Sequence, residues 1–186
     1  DMPSITTLDD GDFVIPWNSS TGVYAQRYVL EGDTFTTDIS SIHGGEGNDS
    51  ILGTDSDDEL WGGEGNDTIN GGSGNDYLEG EVGVDVIDGE AGDDDIWGGD
   101  GNDTINGGSG NDYLDGEAGD DVIDGGDDDD IIWGDAGDDW LYGASGNDYL
   151  NGEVGDDDVE GGEGNDDILG GEGNDYLYGE AGNDDI

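Results

Sequence analysis

The stretch GGEGNDTINGGSGNDYLE, residues 62–79, contains two copies of one nine-residue unit, and this unit decides the fold. It extends in both directions without an insertion or deletion, from Gly44 to Ile186, as fifteen full nonapeptides and eight further residues. In all sixteen units the first residue is Gly, the sixth is Asp, and the eighth is Ile, Leu or Val. A fixed period this short is typical of a solenoid, in which each repeat stacks on its neighbours.

Each nonapeptide divides into a six-residue polar turn, G-G-x-G-[ND]-D, and a three-residue strand with one apolar residue at its centre. Because side chains alternate between the two faces of a strand, only the eighth position is predicted to point inward. The predicted core is therefore a thin column of Ile51, Leu60, Ile69, Leu78, Ile87, Ile96, Ile105, Leu114, Ile123, Ile132, Leu141, Leu150, Val159, Ile168, Leu177 and Ile186.

The turns would bring carboxylates close together. Two like charges about 4 Å apart repel by about 4 kcal/mol at an effective dielectric constant of about 20, so the turns require a cation. The available ligands are carboxylate and main-chain oxygens, since the chain has no Cys and one His. Oxygen ligands at flexible spacing favour calcium over zinc or magnesium.

These residues resemble the RTX calcium-binding repeat family, whose signature is G-G-x-G-x-D-x-U-x. The resemblance covers residues 44–186 and implies an all-β fold, a right-handed parallel β-roll with two nonapeptides per turn and about eight turns. It also implies calcium ions between consecutive turns, about 14 in total, held by main-chain carbonyls and sixth-position Asp side chains. The implied metal ligands are Asp49, Asp58, Asp67, Asp76, Asp85, Asp94, Asp103, Asp112, Asp121, Asp130, Asp139, Asp148, Asp157, Asp166, Asp175 and Asp184.

Three repeats depart from the pattern. Thr54 and Ser56 stand where Gly is expected, Asp128 replaces a fourth-position Gly, and Val84 replaces the usual Asn or Asp at the fifth position. The fourth-position Gly is expected to need a positive φ, which Asp tolerates better than a β-branched residue does. We expect weakened rather than lost sites around Ser56, Val84 and Asp128.

A second period of 36 residues places aromatic side chains at regular intervals. Trp61, Trp97, Trp133, Tyr77, Tyr113 and Tyr149 are all predicted to point outward on one face of the roll. They either cover the edge of the narrow core or form a contact surface, for lateral packing against another copy or for stacking on sugar rings.

The chain carries a formal net charge of −52, from 53 acidic residues and one basic residue. This sign excludes nucleic acid and anionic membranes as direct partners. Such high charge with low hydrophobicity predicts a metal-free array that is expanded and disordered, so that metal binding drives folding.

Residues 1–43 differ in kind and are predicted to form an N-terminal β cap or assembly segment of three or four short strands, with turns at Asp10-Gly11, Asn18-Ser19 and Glu31-Gly32. The second domain is the roll, residues 44–186. No apolar run reaches transmembrane length, and the absence of Cys fits a secreted or extracellular protein. We expect no enzymatic activity, because His43 is the only His in the chain and no Ser has a predicted partner that could act as a base.

Two roles remain open. In the first, the chain is a building block of an extracellular filament or surface layer, and residues 1–43 of one copy cap the last turn of the next. In the second, it is a calcium-triggered folding or secretion module from a larger secreted enzyme, toxin or adhesin. Polysaccharide binding through the aromatic residues is a further alternative.

Overall fold

A computed structural model describes residues 6–7, 13–19, 22–28 and 41–186. These residues form nineteen β-strands in three sheets, and none of them forms a helix. Accordingly, the described part of the chain contains no helix suited to crossing a membrane.

The N-terminal sheet contains β1 (Thr6–Thr7), β2 (Phe13–Ser19) and β3 (Gly22–Tyr28), which pair in an antiparallel manner. Ser19 still belongs to β2 and pairs with Gly22, so the turn predicted at Asn18-Ser19 is wrong. The turns predicted at Asp10-Gly11 and Glu31-Gly32 lie outside the described residues. The role of residues 1–43 as a cap remains a prediction.

The repeats form two parallel eight-stranded sheets. The even-strand sheet contains β4 (Ile42–Glu46), β6 (Glu59–Glu64), β8 (Tyr77–Val82), β10 (Asp95–Asp100), β12 (Tyr113–Ala118), β14 (Ile131–Trp133), β16 (Tyr149–Asn151) and β18 (Asp167–Leu169). The odd-strand sheet contains β5 (Ser50–Leu52), β7 (Thr68–Ser73), β9 (Val86–Ala91), β11 (Thr104–Ser109), β13 (Val122–Asp127), β15 (Trp140–Ser145), β17 (Asp158–Glu163) and β19 (Tyr176–Ala181).

Neighbouring strands in each sheet pair with an offset of 18 residues, as in the pairs Ile96↔Leu114 and Ile105↔Ile123. One turn therefore contains two nonapeptides, and about eight turns stack along one axis. This arrangement confirms the predicted parallel β-roll.

Most strands are longer than predicted, because they continue through the first three residues of the next repeat. The paired residues of β10 and β12 skip one position, since Trp97 and Gly99 have partners in the register but Gly98 does not. In the six-residue strands the pairing thus skips the first-position Gly and resumes beyond it.

The core is the predicted eighth-position column. Its members from Ile51 to Ile168 are buried and form one continuous cluster, against which Leu177 packs partly buried. Ile186 is exposed, contrary to prediction, because no described strand stacks on it. The first-position Gly residues from Gly62 onward and the sixth-position Asp residues from Asp49 to Asp166 are also buried, which the alternation of side chains did not predict.

Candidate metal centres

The sixth-position Asp residues form two columns, one on each side of the roll. Each Asp from Asp49 to Asp175 precedes a strand by one residue, so the strand register aligns it with the Asp residues 18 positions away. Every member from Asp49 to Asp166 is buried, whereas Asp175 and Asp184 are half-buried. The structure therefore brings the predicted ligands of consecutive turns together.

One oxygen of each carboxylate from Asp67 to Asp184 links neighbouring turns. The backbone N–H of Asp85 donates to Oδ1 of Asp103 at 2.7 Å, and the backbone N–H of Asp103 donates to Oδ1 of Asp121 at 2.7 Å. The same bond recurs along both columns, as from Asp94 to Asp112 at 2.8 Å. We call these series of bonds the Asp ladders.

The other oxygen is buried without a hydrogen-bond partner. This is Oδ2 in Asp67, Asp76, Asp85, Asp94, Asp103, Asp112, Asp121, Asp130, Asp139, Asp148, Asp157 and Asp166, and Oδ1 in Asp58. A buried carboxylate oxygen without a donor costs several kcal/mol unless a cation lies against it. The repetition of this atom from Asp58 to Asp166 is what a column of metal ions requires.

A main-chain carbonyl faces the same space. A Cβ atom placed on Gly98 would lie 2.7 Å from Oδ2 of Asp103 and 2.9 Å from the carbonyl oxygen of Gly116 in the next turn. The corresponding position on Gly116 lies 2.5 Å from Oδ2 of Asp121 and 3.0 Å from the carbonyl oxygen of Gly134. Carboxylate and carbonyl oxygens thus converge where only Gly leaves room, which explains why the first position is always Gly.

Burial also shifts the pKa values of several sixth-position Asp residues. Burial raises the pKa of Asp121 and Asp130 to about 8, although backbone N–H donors lower it and neighbouring carboxylates raise it further. Burial likewise raises the pKa of Asp85, Asp94 and Asp139 to about 7. At neutral pH these columns therefore need either protons or a metal ion to balance their charge.

Within the described residues, no three acidic or His side chains cluster tightly enough to form a metal site by themselves. The sites must therefore combine Asp side chains with main-chain carbonyls such as those of the first-position Gly residues. This all-oxygen donor set fits calcium, which accepts carboxylate and carbonyl ligands in flexible geometry. Bound calcium would neutralise the buried carboxylates and join consecutive turns.

A second ladder was not predicted. Fifth-position side chains accept hydrogen bonds from the backbone N–H 18 residues later, as from Asp120 to Asn102 at 3.2 Å and from Asp138 to Asp120 at 3.1 Å. These bonds run in the direction opposite to the Asp ladders. The sequence signal for this ladder is the Asn or Asp at the fifth position of almost every repeat. Val84 interrupts this ladder, because it offers no acceptor to Asn102.

The repeat with Thr54 and Ser56 is changed more than predicted. The backbone N–H and the hydroxyl of Thr54 donate to Oδ2 of Asp58 at 2.6 and 2.9 Å, and the Ser56 N–H donates to the Thr54 hydroxyl at 3.2 Å. Ser56 does not adopt a positive φ, whereas Asp128 does, at 81°. The turn that contains Thr54 thus supplies its own hydrogen-bond donors to the Asp58 carboxylate, which other turns lack. Asp128, in contrast, keeps the positive φ usual for the fourth position.

The repeat sequence also matches a known protein family. The model of the RTX calcium-binding nonapeptide repeat (4 copies) matches overlapping segments, from residues 43–78 to residues 151–186, that together span residues 43–186. The chain belongs to the RTX calcium-binding repeat family. No curated protein matches its sequence significantly. RTX repeats bind several calcium ions per array, and proteins that carry them are typically secreted.

The six predicted aromatic residues of the RTX roll all lie on the even-strand sheet and are half-buried. Their rings contact one another, with centroids 5.6 Å apart for Trp61 and Tyr77 and 4.7 Å apart for Tyr77 and Trp97. Trp61 and Tyr77 both donate to Oε2 of Glu79 at 3.0 Å. The imidazole ring of His43 stacks on the ring of Trp61, with centroids 4.3 Å apart, so the exposed His43 has a packing role.

Proposed function

We propose that this protein is an extracellular structural element whose roll folds when calcium binds. The single observation that carries the proposal is the buried carboxylate oxygen without a hydrogen-bond partner, which recurs in every sixth-position Asp from Asp58 to Asp166. Without a cation, these columns oppose folding through burial of charge and mutual repulsion. With calcium, the same columns join consecutive turns in addition to the two sheets and supplement an apolar core that has one residue per repeat.

An extracellular setting supports this function, since calcium modules outside cells bind with dissociation constants of about 10⁻⁴ to 10⁻³ M. A protein without Cys cannot use disulfides to offset its small core. The bound metal takes over that role.

The direct test is circular dichroism of the purified chain in calcium and in excess EGTA. We expect a β-sheet spectrum with calcium that collapses when the metal is removed and returns when it is restored. A spectrum that stays unchanged in EGTA would show that the metal is not structural.

The finer proposal is that copies join head to tail into a filament or surface layer. Its support is the uniform 18-residue register, because each end of such a roll presents strands of the same spacing and direction. A contact between unlike ends does not close on itself and therefore extends. Lateral contact through Trp61, Trp97 and Trp133 would broaden the filament. The alternative role is that of a calcium-triggered folding module within a larger secreted protein.

Negative-stain microscopy of the chain with and without millimolar calcium separates these roles. A building block gives fibres that depend on calcium and protein concentration. A folding module gives monomers under both conditions, and that result would exclude head-to-tail assembly.

A further inference from the structure

The aromatic residues of the two roll sheets differ in how much ring surface they leave free. On the even-strand sheet, His43, Trp61, Tyr77, Trp97 and Tyr113 form a continuous series with ring centroids 4.3 to 5.6 Å apart. His43 and Trp61 are stacked, and each of the other rings contacts its neighbours at a tilt of 32 to 43°. Stacking on a sugar requires an open ring face, so the even-strand sheet is poorly suited to it.

The odd-strand sheet carries a second aromatic group that the sequence analysis did not single out. Trp140 and Tyr142 on β15 are 52% and 36% exposed, and Tyr176 and Tyr178 on β19 are 65% and 46% exposed. These pairs flank Leu141 and Leu177, which point toward the core. All four rings therefore lie on the outer face, and we call them the aromatic platform.

The strand geometry sets the dimensions of the platform. The two rings of each pair are two residues apart on one strand and are therefore about 7 Å from each other. The strands β15 and β19 are about 10 Å apart, because β17 lies between them. In the register, Asp158 of β17 lies between Trp140 and Tyr176, and Glu160 lies between Tyr142 and Tyr178. The platform is thus a group of four exposed rings with two carboxylates between them.

We propose that the aromatic platform binds a neutral, extended, β-1,4-linked polysaccharide. Such a chain is a flat ribbon whose C–H faces match flat aromatic rings and whose hydroxyl groups can donate to Asp158 and Glu160. The spacing of β15 and β19 allows the two ring pairs to contact different sugars of one chain. Anionic polysaccharides are excluded by the charge of the protein, which is formally −52 before metal binding.

A second copy of the chain fits the platform less well. The four exposed ring systems offer about 400 Å² in total, whereas a stable protein interface buries about 800 Å² on each partner. Two such acidic surfaces would also repel each other. The area and charge therefore favour a small neutral ligand over a protein.

The test is isothermal titration of the calcium-loaded chain with β-1,4-linked hexamers of glucose and of N-acetylglucosamine. We expect at least one hexamer to bind, and we expect Trp140→Ala to weaken that binding about tenfold or more. Trp97→Ala, which removes a ring of the even-strand sheet, is the matched control and should leave the sugar affinity unchanged. The circular dichroism of each variant in calcium shows that the roll is folded.

A folded, calcium-loaded chain that binds neither hexamer would overturn the sugar site and leave calcium-driven folding intact. Equal losses of affinity in the Trp97 and Trp140 variants would also overturn it. Sedimentation provides the remaining readout, because self-association that disappears in Trp140→Ala without any sugar present would assign the platform to a second copy instead.

Discussion

At the scale of single residues, the sixth-position Asp has two separate tasks. One oxygen accepts a backbone hydrogen bond from the preceding turn, and the other lies beside a main-chain carbonyl without a donor of its own. The first oxygen fixes the side chain, and the second is left for a cation. Either task alone would not explain why the sixth position is Asp in all sixteen repeats.

Asp103→Ala should therefore be far more damaging than Glu64→Ala. Asp103 is in the middle of its column and serves the turns on both sides, whereas Glu64 is exposed at a third position. We expect Asp103→Ala to weaken two neighbouring calcium sites and to lower the free energy of unfolding in saturating calcium by roughly 3 kcal/mol. Calcium titration followed by thermal unfolding measures both effects, and similar losses in the two variants would contradict the assignment.

The Gly residues show which local features the sequence could reveal. The predicted positive φ at the fourth position is found at Gly65, Gly101 and Asp128. The second position also adopts positive φ, even where it holds Glu, as in Glu81 and Glu90. Glu disfavours this conformation, so the residue type gave no signal, and the stacked register overrides the local preference.

At the scale of elements, the two side-chain ladders connect each turn to both of its neighbours. The Asp ladders accept from the preceding turn, and the fifth-position ladders accept from the following turn. Because the fifth-position bonds need no metal, they can be probed separately from the calcium sites. Val84 provides the natural gap for doing so.

Val84→Asn should stabilise the roll by roughly 0.5–1 kcal/mol, because it supplies the acceptor that the backbone N–H of Asn102 lacks. Val82→Asn is the matched control, since Val82 and Val84 belong to the same repeat and are each 50% exposed, but only Val84 is at a ladder position. Thermal unfolding in saturating calcium measures the difference. Equal shifts in both variants would mean that lost apolar exposure, and not the ladder, is responsible.

The fold was largely predictable at this scale, and the strand lengths were not. The nine-residue period and the resemblance together predicted two columns and the offset of 18 residues seen in Ile105↔Ile123. The alternation rule failed after the ninth position, because the pairing skips Gly98 and resumes at Gly99. The free oxygen of Asp103 was also beyond prediction, since it depends on which donors the next turn supplies.

At the scale of the whole molecule, calcium and protons should compete for the same columns. Burial raises the pKa of Asp121 and Asp130 from the ordinary 3.8 to about 8 in the metal-free fold. A raised pKa means that the protonated carboxylates favour the folded state below about pH 4, and that this contribution is lost as the pH rises through 8.

We therefore expect opposite pH responses with and without metal. In calcium-free buffer, after the metal has been removed from the protein, acidification from pH 8 toward pH 4 should increase the β-sheet circular dichroism signal. In limiting calcium, the same acidification should release metal, because protons occupy the Asp ligands. Parallel pH titrations measure both effects, with circular dichroism following the metal-free chain and a calcium electrode following metal release. A metal-free spectrum that does not change with pH would contradict the burial of these carboxylates.

The fixed register also restricts how an array of this kind can change in length. Since consecutive repeats alternate between the two sheets, inserting one nonapeptide would transfer every later residue to the opposite face, whereas inserting two would preserve both faces. The 36-residue period, which places Trp61, Trp97 and Trp133 on one sheet, obeys this parity. Duplication by whole turns therefore lets the rod lengthen during evolution while each face keeps its own surface chemistry.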